Sequence, residues 1–449
     1  MADDRASDNK GLFPAGNSRP HRLSAELGPN GGLDGDQADL WRRLRGRDIF
    51  LWGAGRWGRV ICLRLEEWGL EAAGFLDSKA DRLSPSVLGR PLSRPEPFLA
   101  QGPGGPRGPV LIITPHFFKE SMLPQAEAAG FKRGRDLFLA EDFAPHHYIV
   151  EVSGVCNLRC LACPRGRQTP QARRGGFMSL KSFRAAAEKI KREDPLAANL
   201  QLYQWGEPLL NPELPQMIEE ARAAGLPVSI SSNLNVEADL ERVAAAGPDW
   251  FRVSVSGTGS DYERTHAGGL WAKVLANMER LARSRDQARS RMRIEVYYHL
   301  YVHNQGRQLS EAREICKRFG FEFQPVQAYL IGLEEVSGQL KGRPFPPEAQ
   351  QAASLLNVTI DQALLAARRD AALPCPAENV IMVDWDLSAP VCLMYFDRKQ
   401  PPLSGNFLQT PLAEIKRRRK ASPLCALCRS QALHRYCDVY YNWPLKDAE

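Results

Sequence analysis

The stretch Tyr148-Ile149-Val150-Glu151-Val152-Ser153-Gly154-Val155-Cys156-Asn157-Leu158-Arg159-Cys160-Leu161-Ala162-Cys163 decides how the middle of this chain is read. Its first residues are β-branched and aromatic, a strand signal. Its end places three cysteines at C-x3-C-x2-C spacing on the loop that leaves the strand. Downstream, strand patterns at 200–203, 227–230, 251–255, 294–302 and 321–326 alternate with helical spacing at 180–191, 214–224, 237–246, 271–283 and 309–319. Strands and helices alternating in this way imply a parallel sheet. Six such units predict an α/β fold, a partial (β/α)6 barrel over 147–345. Chemistry on such sheets gathers in the loops at the C-terminal strand ends, where the cysteines stand.

Three thiolates so close can face one object of cluster size. Tetrahedral zinc takes four ligands, and no fourth Cys or His follows nearby. A [4Fe–4S] cluster with four cysteines is saturated, whereas three leave one iron open, as a catalytic centre needs. The plainer alternatives are unrelated thiols, or zinc borrowing a distant ligand.

The chain has 449 residues, 43% apolar and 25% charged, which excludes wholesale disorder and suggests about three domains. Lys and Arg exceed Asp and Glu by 59 to 52, a mild excess that does not argue for nucleic acid. No apolar run is long enough to span a membrane, and 1–40 has no apolar core of the signal-peptide kind. A disordered tail is expected at 1–40 and the cytoplasm as the compartment, with the ten cysteines as thiols or metal ligands.

Ahead of the barrel, over 45–143, a short apolar run enters Gly53-Ala54-Gly55-Arg56-Trp57-Gly58, and Asp77 ends the next strand. This GxGxxG layout predicts a small Rossmann-like βαβ domain of three or four strands, with Gly53, Gly55, Gly58 and Asp77 as candidate nucleotide contacts. A domain that binds no nucleotide is the alternative. Residues 83–108 read as irregular loop, because Pro and Gly dominate.

After the barrel, 370–445 is expected to be loop-rich and carries Cys375, Cys392, Cys425, Cys428 and Cys437. The first four suit either structural zinc or a fully ligated [4Fe–4S] cluster, and spacing alone does not separate these. Cys437 remains as a possible alternate ligand. Cys62 and Cys316 lie in helical apolar patterns and read as core thiols. The basic run Lys416–Lys420 reads as a solvated helix end.

At 147–330 the chain resembles the radical SAM enzymes, whose signature is this CxxxCxxC motif after the first strand of a partial barrel. The resemblance implies that Cys156, Cys160 and Cys163 hold a [4Fe–4S] cluster whose open iron chelates S-adenosylmethionine (SAM), which one electron then cleaves to methionine and a 5′-deoxyadenosyl radical. Gly206-Glu207-Pro208 looks like the family's GEP motif, its Gly allowing close approach of the methionine amino group and its Glu offering an acceptor. Ser231-Ser232-Asn233 and Ser254-Val255-Ser256 resemble the short polar motifs that contact SAM, although Thr-Asn-Gly is frequent at the first. Gly176-Phe177-Met178-Ser179 also recurs in the family, and Ser179 reads as an N-cap.

The C-terminal cysteines resemble a SPASM or twitch region, which implies one auxiliary [4Fe–4S] cluster. Many members have Gly where this chain has Leu387. The N-terminal domain is similar to those attached to sugar-modifying transferases, so the expected substrate is a sugar or nucleotide-sugar, oxidised after hydrogen abstraction. The alternatives are a peptide-modifying maturase and a non-catalytic metal-binding adaptor. A flavodoxin or ferredoxin is implied as external electron donor.

Overall fold

The computed structural model describes residues 35–105, 107–115, 119–143, 147–169, 175–194, 197, 199–396 and 400–444. The chain divides into two units between residues 146 and 147. No described helix is long and apolar enough to cross a membrane.

In the first unit, helix α1 (Gly35–Leu44) precedes strands β1 (Ile49–Trp52), β2 (Ala72–Leu76), β3 (Ser86–Val87), β4 (Arg90–Ser93), β5 (Val110–Ile113) and β6 (Leu137–Leu139). Helices α2 (Arg56–Glu67), α3 (Pro95–Gln101) and α4 (Lys119–Ala128) connect them. The sheet order is β3-β4-β2-β1-β5-β6, parallel except for the β3–β4 pair. Setting β3 aside, this is a doubly wound order with β1 at its centre. All four residues of β5 are buried, as a strand covered on both faces requires. Three expectations change. The sheet has six strands instead of three or four. Residues 83–108 contain β3, β4 and α3: Pro91 lies in β4 beside the two-residue edge strand β3, and Pro95 opens α3, where proline is tolerated. Of the expected tail, 1–34 lies outside the described residues, whereas 35–40 is helical and buries Leu40.

The second unit carries the predicted barrel strands: β7 (His147–Val150), β8 (Asn199–Gln201), β9 (Val228–Ser232), β10 (Trp250–Val255), β11 (Arg293–Leu300) and β12 (Glu322–Gln327). Helices α5 (Leu180–Glu193), α6 (Leu214–Ala223), α7 (Leu240–Ala246), α8 (Ser260–Thr265), α9 (Trp271–Gln287) and α10 (Arg307–Phe319) run between them. Ser179 caps α5, accepting from Ser182 N at 3.1 Å. One face of the strands packs on the helices through Leu200, Val228, Ile230, Phe251, Val253, Ile294 and Val296. On the other face Ile149 clusters with Met382, Trp205 and Phe396, and the stretch from β8 to β11 is polar. There Asn199 donates to Ser229 Oγ (2.9 Å), Ser231 and Ser254 share a hydrogen bond (3.2 Å), and Arg252 pairs with Glu295 (3.3 Å).

Helices α11 (Leu333–Gln339), α12 (Pro347–Ser354) and α13 (Ile360–Arg369) follow the barrel, and then a seventh strand, β13 (Val380–Val383), pairs parallel with β7. The C-terminal region, expected to be loop-rich, holds this strand and helices α14 (Leu412–Lys420), α15 (Pro423–Ser430) and α16 (Tyr436–Asn442). In the turn after β13, Leu387 has φ +67°, a left-handed conformation that glycine adopts freely and that costs a side-chain-bearing residue about 1 kcal/mol.

Candidate active site

The loop that leaves β7 is held by its backbone. Arg159 N donates to Ala267 O (2.9 Å), Leu161 N to Thr265 O (3.1 Å), and Ile331 N returns a bond to Ala162 O (3.1 Å). Arg167 ties the loop from behind, donating to Leu161 O at 2.8 Å and Ile331 O at 3.0 Å. Cys156, Cys160 and Cys163 lie partly exposed on this frame. Burial, and then the neighbouring thiols of Cys163 and Cys156, push the Cys160 thiol well above its ordinary value. The three sulfurs therefore face one site, where the cationic iron–sulfur core of a bound cluster would offset the repulsion among thiolates. Among the described residues no three Cys, His, Asp or Glu side chains converge closely enough to chelate a single ion. Thiolates on different irons of one cubane stand further apart than that. Asn233 Nδ2 lies 3.8 Å from Cys156 Sγ and also donates to Asn157 Oδ1 at 3.1 Å. Donors of this kind stabilise a thiolate ligand, so the residues fit an iron–sulfur cluster.

The Gly206-Glu207-Pro208 loop is fastened to the same strand end. A Cβ on Gly206 would stand 1.7 Å from Ser153 O, so glycine is required there by the backbone beneath it. Glu207 is 2% exposed and accepts from Asn233 N (2.8 Å) and Leu209 N (3.0 Å). Its carboxylate thus braces the β8 loop against the β9 loop that carries Asn233. Ser231 on β9 hydrogen-bonds Ser254 on the adjacent strand β10, and Ser232 Oγ caps Leu234 N at 2.9 Å. Ser256, expected near SAM, is fully buried and hydrogen-bonded to Thr265 and to His266 Nδ1 (2.8 Å). Its hydroxyl belongs to the packing beneath α8. Burial holds His266 down to about 3, so the ring is neutral there. His303 stacks on Tyr301 (5.6 Å), and Asn304 bonds Tyr301 N and His299 O.

Residues 150–289 match the family model described as the Radical SAM superfamily. This segment belongs to the radical SAM superfamily. It is an enzyme family whose domain implies a [4Fe–4S] cluster and SAM. Among solved structures the chain is similar to BtrN in complex with AdoMet and 2-DOIA, at 15% identity, 66% coverage of this chain and 92% of that one, and TM-score 0.39. It is similar to native anSMEcpe with bound AdoMet (16%, 60% and 79%, TM-score 0.38) and to Streptococcus suis SuiB bound to S-adenosylmethionine (12%, 67% and 76%, TM-score 0.42). No curated protein matches the chain.

Sequence reasoning missed a carboxylate behind this radical SAM loop. Glu151, 1% exposed, accepts from Trp205 N (2.6 Å), Gln204 N (3.3 Å) and Gly206 N (3.3 Å). Asp384, at the end of β13, and Arg165 are both buried and act on it electrostatically. Trp385 follows, and a Cβ on Gly154 would stand 2.1 Å from its ring. A strand end from the C-terminal region is thus packed into the base of the cysteine loop.

Burial raises Glu151 and Glu207 to about 7, against an ordinary 4.5. Carboxyls that ionise less readily in the fold than in the unfolded chain stabilise the fold below their unfolded value, and this contribution is lost as pH rises through the folded value. Cluster-free protein should therefore lose a few kcal/mol of stability between about pH 5 and pH 8. Thermal melts across this range check it, and Glu151→Gln should shallow the slope. A melting temperature flat or rising with pH would contradict the assignment.

The five C-terminal cysteines come together. Cys428 feels Cys392, Cys375 and Cys425, and Cys437 feels Cys392, Cys428 and Cys375, each thiol being pushed up first by burial. Met394 N donates to Cys392 Sγ at 3.4 Å. The basic run is not wholly solvated: Arg419 turns inward, donating to Ala377 O (3.4 Å) and Glu378 O (3.3 Å) beside Cys392, Cys425 and Cys375. Thiols with a backbone donor and a guanidinium beside them fit a second, anionic cluster. Cys62 and Cys316 are buried within helices, as expected.

In the first unit, Gly53 and Gly55 lie in the turn from β1 into α2, and Gly58 lies in the first turn of that helix. Asp77 Oδ2 accepts from Ala54 N at 3.0 Å and Oδ1 from Lys79 N at 2.9 Å. The acid expected to meet a ribose is thus engaged with the glycine loop's own amide.

Proposed function

We propose that the chain abstracts hydrogen from a hydroxylated small molecule, a sugar or nucleotide-sugar, and oxidises it. The reading rests on one observation: a backbone-clamped three-thiol loop opens beside a barrel interior that is polar from β8 to β11. Cys156, Cys160 and Cys163 would hold the [4Fe–4S] cluster, and Gly206, Pro208, Ser231, Asn233 and Ser254 would line the SAM site. Glu207 and Glu151 hold the loops of that site in place. When bound, these groups supply the one-electron cleavage of a sulfonium. A flavodoxin or ferredoxin would deliver the electron. Tyr203, Arg252 and Tyr297 support a polar substrate: Arg252 lies 4.0 Å over the Tyr297 ring, and burial lowers neighbouring His299 to about 4, leaving it neutral. The C-terminal cysteines would hold a second [4Fe–4S] cluster.

Oxidation of an alcohol carbon would pass one hydrogen atom from carbon to the 5′-deoxyadenosyl radical, release one proton from oxygen, and pass one electron to the second cluster. Reconstituted protein given SAM, a strong reductant and nucleotide-sugars deuterated at alcohol carbons should place deuterium in 5′-deoxyadenosine, with one SAM used per carbonyl formed. A product of unchanged oxidation state overturns the oxidation. Deuterium transfer from a peptide and from no sugar overturns the substrate class.

A further inference from the structure

The first unit has a second concave site, at the opposite edge of its sheet from the glycine loop. Gly53–Gly58 and Asp77 lie at the C-terminal ends of β1 and β2. At the N-terminal ends, the segments just before β1, β5 and β6 meet the end of α1. A cavity of about 670 Å³ there is lined by Arg42, Arg43, Arg45, Arg47, Arg107 and Arg135.

Part of this is architecture. Arg47 donates to Gly108 O (2.8 Å) and Arg135 O (2.7 Å), and Arg43 to Gly134 O (2.7 Å) and Asp39 (2.7 Å). Arg135 pairs with the buried Asp136, and Arg42 lies 3.8 Å from the same Asp39. Arg42 and Arg43 also suit the last turn of α1. The helix dipole favours Arg45 too, but among the described residues no side-chain hydrogen bond holds Arg45 or Arg107. Both are exposed, and among the described residues neither has an ion pair; Arg45 rests 5.0 Å over the Trp41 ring. Arg42 and Arg43 meet Asp39 and Arg135 meets Asp136, so six guanidiniums minus these two carboxylates leave four positive charges at the cavity.

We propose that this cavity binds a small molecule carrying two linked phosphates. Guanidinium forks match phosphate oxygens, two arginines are already fixed by the backbone, and a diphosphate approaches the uncompensated charge. The volume is that of a small-molecule site, and its arginines converge on it from three segments, 42–47, 107 and 135.

Isothermal titration of the full chain with pyrophosphate tests this. Wild type should bind, more weakly as salt is added, and Arg45→Gln with Arg107→Gln should weaken binding by about tenfold or more. Arg45→Lys with Arg107→Lys should keep most of it, because charge is retained. Both pairs are exposed, so melting temperature and iron content should match wild type. Absence of pyrophosphate binding, equal binding by the glutamine variant, or tighter binding of a single-stranded RNA oligonucleotide than of pyrophosphate would overturn the proposal.

Discussion

Replacing Cys156, Cys160 and Cys163 together by alanine should abolish reductive cleavage of SAM and remove about four of about eight irons per reconstituted chain. The loop should survive, because its shape is set by backbone bonds from Arg159, Leu161 and Ile331 and by Arg167, none of which uses a sulfur. Lost activity then reports lost ligands and not a lost fold. Chromatography of 5′-deoxyadenosine under a strong reductant, beside iron analysis, measures both. SAM cleavage by the triple variant would sink the assignment of this loop.

The second large effect belongs to the other cysteine set. Cys425→Ala with Cys428→Ala should remove about four irons and lower the melting temperature by at least about 5 °C. The reason is mechanical: α15 brings two thiols to a site whose other members come from segments near Cys375 and Cys392. A cluster there pins three stretches of chain that have little sheet pairing of their own. Reductive cleavage of SAM should persist in this variant while substrate oxidation falls. Iron near four in the wild type, with one zinc, would make the second site structural. Cys437→Ala completes the set: unchanged iron makes Cys437 a bystander, and a loss of about four makes it a ligand.

The two sets were unequally visible in the sequence. Cys156, Cys160 and Cys163 lie within eight residues on one loop, so spacing alone brings them together. Cys437 had no such signal. Its approach to Cys392 and Cys375 follows from how α16 packs beside α13, a tertiary matter. The same holds for Arg419, which looked like one more solvated cation in a basic run.

Strand and helix periods placed the barrel, because each half-buried element writes its buried face into its own residues. β13 escaped that reading: four apolar residues are too short to separate a strand from any other buried segment, and only pairing with β7 makes it one. Glu151 escaped for a different reason. It sits in a strand pattern where a carboxylate reads as a solvent-facing residue, yet it is buried under three amides of a loop some fifty residues away. Local composition specifies which residues seek burial or a turn. It does not specify which backbone amides a buried charge will meet, because those partners arrive from distant segments only when the chain closes on itself.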